Sequence, residues 1–217
     1  MCIDIGFGKI ILEEIIFKKT ETVLGIISIY YDVIYPTLVS YPIKAIYVEG
    51  PYENKDVRLK EGDVILDCVA NLGIFSFFAS KKISNSGKVY AFEPIPDICS
   101  ILKESISHSR ANNIITVQSA VGNSKKEISF NFSDLSLGGS SANSIGKPTI
   151  VSQNTIDNFV KDNNVKKVDF IKMDIEGAER YALEGAKETI KNFKPRLAVC
   201  TYHLPDDPRV IKGIILN

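Results

Sequence analysis

The chain has 217 residues, which by length makes one domain, or one domain with an extension, large enough to bury about 70% of the surface its unfolded form exposes. Apolar residues make up 45% and charged residues 24%, a globular balance that excludes disorder, collagen and coiled coil. Twenty-six basic side chains match 26 acidic ones, so there is no bulk electrostatic reason to bind nucleic acid or an anionic membrane.

Residues 1–59 mix apolar stretches with Tyr30, Tyr31, Tyr35, Tyr41 and Tyr47 and read as an N-terminal cap of helix and short strands. Residues 60–217 read as the main domain. The turn Glu61-Gly-Asp63 leads into the apolar run Val64 to Val69, a buried strand. Gly73 to Lys82 reads as a helix with Phe75, Phe77 and Phe78 inward. Lys88 to Phe92 is a second strand, Pro96 to Arg110 a second helix and Ile114 to Val121 a third strand. The alternation in Lys126 to Phe132 fits an added antiparallel strand. Ser133 to Lys147 is rich in Ser, Gly and Asn and reads as a loop. A short helix starts at Thr155. Val168 to Asp174 is a fourth main strand, Gly177 to Phe193 one amphipathic helix, and Leu197 to Tyr202 a fifth strand. Apolar strands alternating with helices imply βαβ units: an α/β fold with a mostly parallel sheet and helices on both faces. Ligands of such sheets bind beyond the carboxyl ends of the strands, near the switch in strand order.

The first strand ends Asp67-Cys-Val-Ala-Asn-Leu-Gly73, an acid followed by small residues and a glycine opening a helix. Small residues allow close backbone approach, and the helix start offers free N–H groups. The second strand ends Phe92-Glu93-Pro94, where a carboxylate can accept from both hydroxyls of a ribose. The two together describe a nucleoside site. The glycines of a dinucleotide fingerprint are missing, since Val69, Asn71 and Ile74 stand in their places. A pyrophosphate therefore fits poorly, and S-adenosylmethionine is the common nucleoside ligand without one.

Three segments carry a resemblance: Asp67-x-x-Ala-Asn-x-Gly73, Ala91-Phe-Glu-Pro94, and Asp169-Phe-Ile-Lys-Met-Asp-Ile-Glu-Gly-Ala-Glu179. With them the chain, from about Lys60 to His203, resembles the FkbM-type family of class I methyltransferases. The resemblance implies a Rossmann-like sheet, S-adenosylmethionine as cofactor, and O-methylation of a hydroxyl on a small metabolite or sugar. It implies that Asp67, Val69, Ala70, Asn71 and Gly73 line the methionine part of the cofactor, that Glu93 holds its ribose, and that Ser119 and Ala120 border its adenine. Val69 stands where the family pattern has glycine. A branched side chain resists φ > 0, and Val69 motivates one alternative, a degenerate fold kept as a non-catalytic binding or assembly module.

Candidates for the chemistry lie at the ends of the fourth and fifth strands. Phe170, Lys172 and Asp174 share one face of the fourth strand by alternation. A lysine in a buried strand is costly unless paired, and Lys172 is read with Asp174 as a functional pair. Asp174 is the residue for positioning or base work. Glu176 and Glu179 sit where a helix-start carboxylate also would. His203, after the fifth strand, is a candidate general base. The two histidines have no metal-ligand spacing, so no metal is expected.

Cys2, Cys68, Cys99 and Cys200 form no close pair, and their reading is reduced thiols in a cytoplasmic protein. No signal-peptide pattern opens the chain. The most apolar early stretch, Val23 to Tyr31, is far below the roughly 18 residues that span a bilayer. Only 15 residues follow Tyr202, room for a short helix from Asp206 to Leu216 but not for the β-hairpin that closes a class I methyltransferase sheet. The fifth strand is thus expected to be an edge, covered by the N-terminal segment or by another subunit of a homo-oligomer.

Overall fold

The computed structural model describes residues 2–4, 9–11, 46, 52, 57–109, 111–132 and 147–216. Near the start, β1 (Cys2–Asp4) and β2 (Lys9–Ile11) pair antiparallel. The rest of the expected cap, apart from a few residues, lies outside the described residues, as do positions 133–146 of the Ser/Gly/Asn-rich loop.

The main sheet has five parallel strands: β3 (Val64–Cys68), β4 (Lys88–Phe92), β5 (Ile114–Val117), β9 (Phe170–Met173) and β10 (Arg196–Val199). Their order is β10-β9-β3-β4-β5, so the chain builds outward from β3 in one direction and then returns to its other side. The switch lies between β3 and β9, and the crevice beyond their carboxyl ends is where such a sheet holds ligands.

Side-chain alternation divides the core between the two faces. On one face α1 (Ile74–Ile83) and α2 (Pro96–His108) bury Phe75, Ile98 and Leu102 against Ile65, Val89 and Phe170. On the other, α3 (Ile156–Asp162), α4 (Glu179–Glu184), α5 (Lys187–Phe193) and α6 (Asp207–Leu216) cover Leu66, Cys68, Ile171 and Met173. Cys68 and Cys99 are buried free thiols. Among the described residues no helix is long and apolar enough to cross a membrane.

The structure differs from the sequence reading most in three elements. The expected strand Ile114 to Val121 breaks at Ser119, whose backbone N–H donates to Val117 O at 2.9 Å while its hydroxyl donates to Ala120 O at 2.8 Å. The chain thereby leaves the parallel sheet and continues as β6 (Ala120–Val121) in a second sheet of order β6-β8-β7. That sheet contains β8 (Lys147–Asn154), which the sequence reading lacks, paired antiparallel with the expected β7 (Lys126–Phe132). Third, the single helix from Gly177 to Phe193 is two. The backbone of Gly185 lies against that of Gly122, where a Cβ would sit 2.0 Å from Gly122 O, and the Gly185 carbonyl accepts from Asp157 N at 2.9 Å. Asp157 in turn accepts from Glu188 N and Thr189 N, capping α5.

β10 pairs only with β9 among the described residues, at the sheet edge. It ends at Val199 rather than Tyr202, and residues 200–206 cross the carboxyl end of the sheet before α6. Arg180 on α4 binds both Asp206 and Asp207, which ties α6 down and fixes the path of the crossing segment.

Candidate active site

The segment after β3 is a tight loop. Val69, Asn71 and Gly73 have φ of 64°, 52° and 85°. Ala70 N donates to Phe92 O at 2.7 Å and Gly73 N to Ala70 O at 2.8 Å, while the Lys172 ammonium donates to Val69 O at 3.1 Å. The valine thus adopts the left-handed conformation that its branched side chain resists, at a cost of about 1–2 kcal/mol. Gly73 packs closely, since a Cβ there would lie 2.4 Å from Leu102 Cδ1, and its φ of 85° is one that side chains rarely adopt. Its missing side chain serves the seating of α1 on α2.

Glu93 follows β4 and lies beneath that loop, 2% exposed. Its Oε2 accepts from Asn71 N and its Oε1 from Ile95 N, both at 2.9 Å. Burial pushes its carboxyl up to about 7, against the pull of those two donors. Each oxygen retains a further lone pair for a hydroxyl donor.

Asp67 is fully buried, with Oδ2 accepting from Ser76 Oγ at 2.6 Å and Oδ1 lying 3.2 Å from Lys172 Nζ. The sequence pairs Lys172 with Asp174; the direct ion pair is instead with Asp67, because the parallel register sets Lys172 opposite Asp67 on the neighbouring strand. Asp174 stands further out. The Lys172 ammonium also sits over the rings of Tyr52 and Phe75, at 5.5 and 5.9 Å. Ser119 and Ala120 lie at the break between the two sheets, buried, with the serine hydroxyl turned onto backbone carbonyls.

Beyond β9, Asp174 Oδ2 accepts from the Tyr52 hydroxyl at 2.6 Å and Oδ1 from the Tyr202 hydroxyl at 3.3 Å. Burial works against its charge, but Lys172 and Tyr52 hold its carboxyl below the usual range. Glu176 is pushed up by burial and occupies a turn at φ 51° followed by Gly177 at φ 97°. Cys200, at the end of β10, is pushed up to about 12 by burial and by Asp174, so its thiol stays protonated. His203 comes from the crossing segment. Its Nε2 lies 3.5 Å from Asp174 Oδ1 and 3.6 Å from Glu176 Oε2, and its Nδ1 lies 2.9 Å from Glu179 Oε1.

The fold therefore gathers Asp174, Glu176 and His203 into one cluster and brings Asp67, Lys172, Val69 and Glu93 into a second, joined by Tyr52. Sequence reasoning gave no role to Tyr52, and left Glu179 open between a functional carboxylate and a helix-start one. Asp174, Glu179 and His203 place one donor atom each within 4.8 Å of one another. Both Glu179 oxygens already accept backbone N–H groups, from Ile175 at 2.7 Å and Gly177 at 3.0 Å.

A five-stranded parallel sheet with its switch at β3, a loop drawn over a buried carboxylate at the end of β4, and an acid at the end of β9 define a Rossmann-like class I methyltransferase fold. Residues 67–212 match the Methyltransferase FkbM domain family, and the chain belongs to that family. It is similar to the hexuronic acid methyltransferase AglP of Haloferax volcanii, with 26% identity over 156 residues that cover 72% of this chain and 62% of the relative. It also superposes on the crystal structure of methyltransferase FkbM from Methylobacillus flagellatus KT with a TM-score of 0.59 and 22% identity, over 81% of this chain and 41% of that one, a likeness of fold. The chain thus spans 62% of the length of the curated relative it matches.

Proposed function

We propose that the chain is an S-adenosylmethionine-dependent methyltransferase that methylates a hydroxyl of a sugar or related small metabolite. The observation that carries this reading is Glu93, a carboxylate held at the end of β4 under the loop of residues 69–73, with lone pairs left for hydroxyl donors. The residues present fit the cofactor. Glu93 would take the ribose hydroxyls, residues 69–73 would border the methionine part, and Ser119 and Ala120 would border the adenine. S-adenosylmethionine supplies an electrophilic methyl on sulfur for an in-line displacement. What this chain adds is alignment and a proton acceptor. Asp174, fixed by two tyrosine hydroxyls, orients the acceptor, and His203 removes its proton.

The acceptor class draws on the printed activity of the hexuronic acid methyltransferase. Among the described residues the carboxylates at the acceptor end are Asp174 and Glu176, and Lys172 is committed to Asp67. Neutral hydroxylated sugars therefore meet less repulsion here than uronates do. The free thiols fit a reducing compartment, and we place the protein in the cytoplasm.

Isothermal titration with S-adenosylmethionine and its demethylated product tests the cofactor, and absence of binding by either at millimolar ligand overturns the reading. Transfer of labelled methyl to neutral hexosides and hexuronides tests the acceptor. Mild base separates the products, because it cleaves a methyl ester and leaves an ether. A product that is wholly base-labile would overturn hydroxyl methylation.

A further inference from the structure

We infer that Glu179 positions His203, holding its ring in the tautomer with the proton on Nδ1 so that Nε2 is the proton acceptor at the acceptor end of the crevice. The inference rests on the methyltransferase reading only for the use made of the proton. The placement itself is a property of the fold.

Glu179 is fully buried at the start of α4. Its side chain turns back over residues 175–178, and its two oxygens accept from the backbone N–H groups of Ile175 and Gly177. These bonds fix the carboxylate and leave it needing further donors, because an ionised carboxylate only accepts. Nδ1 of His203 is shut off from solvent, 2.9 Å from Glu179 Oε1. The contact has hydrogen-bond length but is out of line, as catalytic contacts often are before a substrate tightens them. An Nδ1–H answers the carboxylate, whereas a lone pair at Nδ1 would face it in repulsion.

The other nitrogen has a different environment. Asp174 Oδ1 and Glu176 Oε2 stand 3.5 and 3.6 Å from Nε2, beyond the length of a good hydrogen bond. Asp174 is also taken by the Tyr52 hydroxyl and faced by Tyr202, whose ring packs 4.4 Å from the imidazole. Among the described residues the groups facing the ring are Glu179 from α4, Glu176 from the turn before it, Asp174 from the end of β9, and Tyr202 from its own segment. In the reaction, the acceptor oxygen forms the new bond to the methyl carbon. The electron pair of the breaking carbon–sulfur bond stays on sulfur, and the hydroxyl proton passes to Nε2. The imidazolium so formed is stabilised by the buried Glu179. An orienting carboxylate, an imidazole and a reacting hydroxyl in series form an arrangement that recurs on unrelated folds.

The chain has two histidines, so nitrogen-15 spectra of the labelled protein are assigned with one variant, His108→Gln. Above the titration of the imidazole, His203 is expected to show a protonated Nδ1 and a bare Nε2, the reverse of the tautomer free histidine favours. A protonated Nε2, or averaging between the two forms, overturns the inference, whatever the protein methylates. Selective broadening of the His203 signals by micromolar manganese would also overturn it, by making the ring a metal ligand. In Glu179→Gln the tautomer should reverse or average. Turnover at neutral pH should fall about 100-fold or more, with partial recovery at high pH, and with KM and the S-adenosylmethionine dissociation constant nearly unchanged. Glu179→Asp should restore part of the rate. A Glu179→Gln enzyme that keeps wild-type turnover, or one rescued in no degree by aspartate, counts against positioning. If no cofactor binds, the function fails, while the wild-type spectrum still decides the pair.

Discussion

Lys172 and Asp67 stand opposite each other on neighbouring parallel strands, with Nζ 3.2 Å from Oδ1 and the carboxylate fully buried. Burial alone would lower the lysine's pKa, but Asp67 first and Asp174 second outweigh it and hold the ammonium charged. The pair does structural work for the site, because the same ammonium ties down Val69 O. Removing one partner leaves the other charge buried without a counterion. Lys172→Met and Asp67→Asn should each cost about 3–5 kcal/mol in urea unfolding. The double variant should lose clearly less than the sum, and additive losses would show that the two charges do not act as a pair.

Val69 at φ 64° carries strain that glycine would not. Val69→Gly should raise stability by about 1 kcal/mol, the relief of left-handed strain less the added entropy of glycine in the unfolded chain. Urea midpoints compare the two. A loss of stability would mean that contacts of the half-buried valine with the core outweigh its backbone cost.

Gly73→Ala should act in the opposite direction. It adds a Cβ 2.4 Å from Leu102 Cδ1 at a backbone φ of 85°, so both packing and conformation oppose it. A loss of about 2–4 kcal/mol is expected from overpacking and the left-handed backbone together. Measured against Leu102→Ala alone, the added cost of Gly73→Ala should shrink if the clash with Leu102 dominates, and stay the same if the backbone angle does.

Glu93 gives a pH signature. Its carboxyl moves from 4.5 to about 7 on folding, with burial the main cause. A raised acid favours the folded state while it is protonated. Its contribution is full below pH 4.5 and is lost as pH rises through about 7. Converted at about 1.4 kcal/mol per pKa unit, the loss is about 3–4 kcal/mol. Across that range wild-type protein should therefore lose about this much stability relative to Glu93→Gln. A difference between the two that stays constant with pH would refute the buried, raised carboxyl.

The hydrophobic runs and turn residues of the sequence were sufficient for β3, β4, α1, α2 and α6, because each is written in adjacent positions: an apolar run of strand length, or a periodic face with a proline or glycine at its border. Glu93 and the loop from Asp67 to Gly73 were legible for the same reason, since strand ends in an α/β sheet define where ligands lie. β8 was missed because it follows a Ser/Gly/Asn-rich stretch and carries Pro148, both of which read as loop. The division of α4 from α5 was missed because Gly185 looks tolerable in an amphipathic helix, whereas its backbone packs on Gly122 and its carbonyl is taken by Asp157 N, both distant in sequence.

The local sequence by itself determined the alternation of strands and helices, the strand-end carboxylates and the Asp67–Gly73 segment that family resemblance ties to a methyl donor. Tertiary structure alone decided who pairs with whom. Register sets Lys172 against Asp67 rather than Asp174, and the crossing segment carries His203 from the end of β10 to Glu179, twenty-four positions earlier. Side-chain alternation is local and can be read along the chain. Which buried charge finds which partner depends on strand order and register, and these exist only once the sheet has formed.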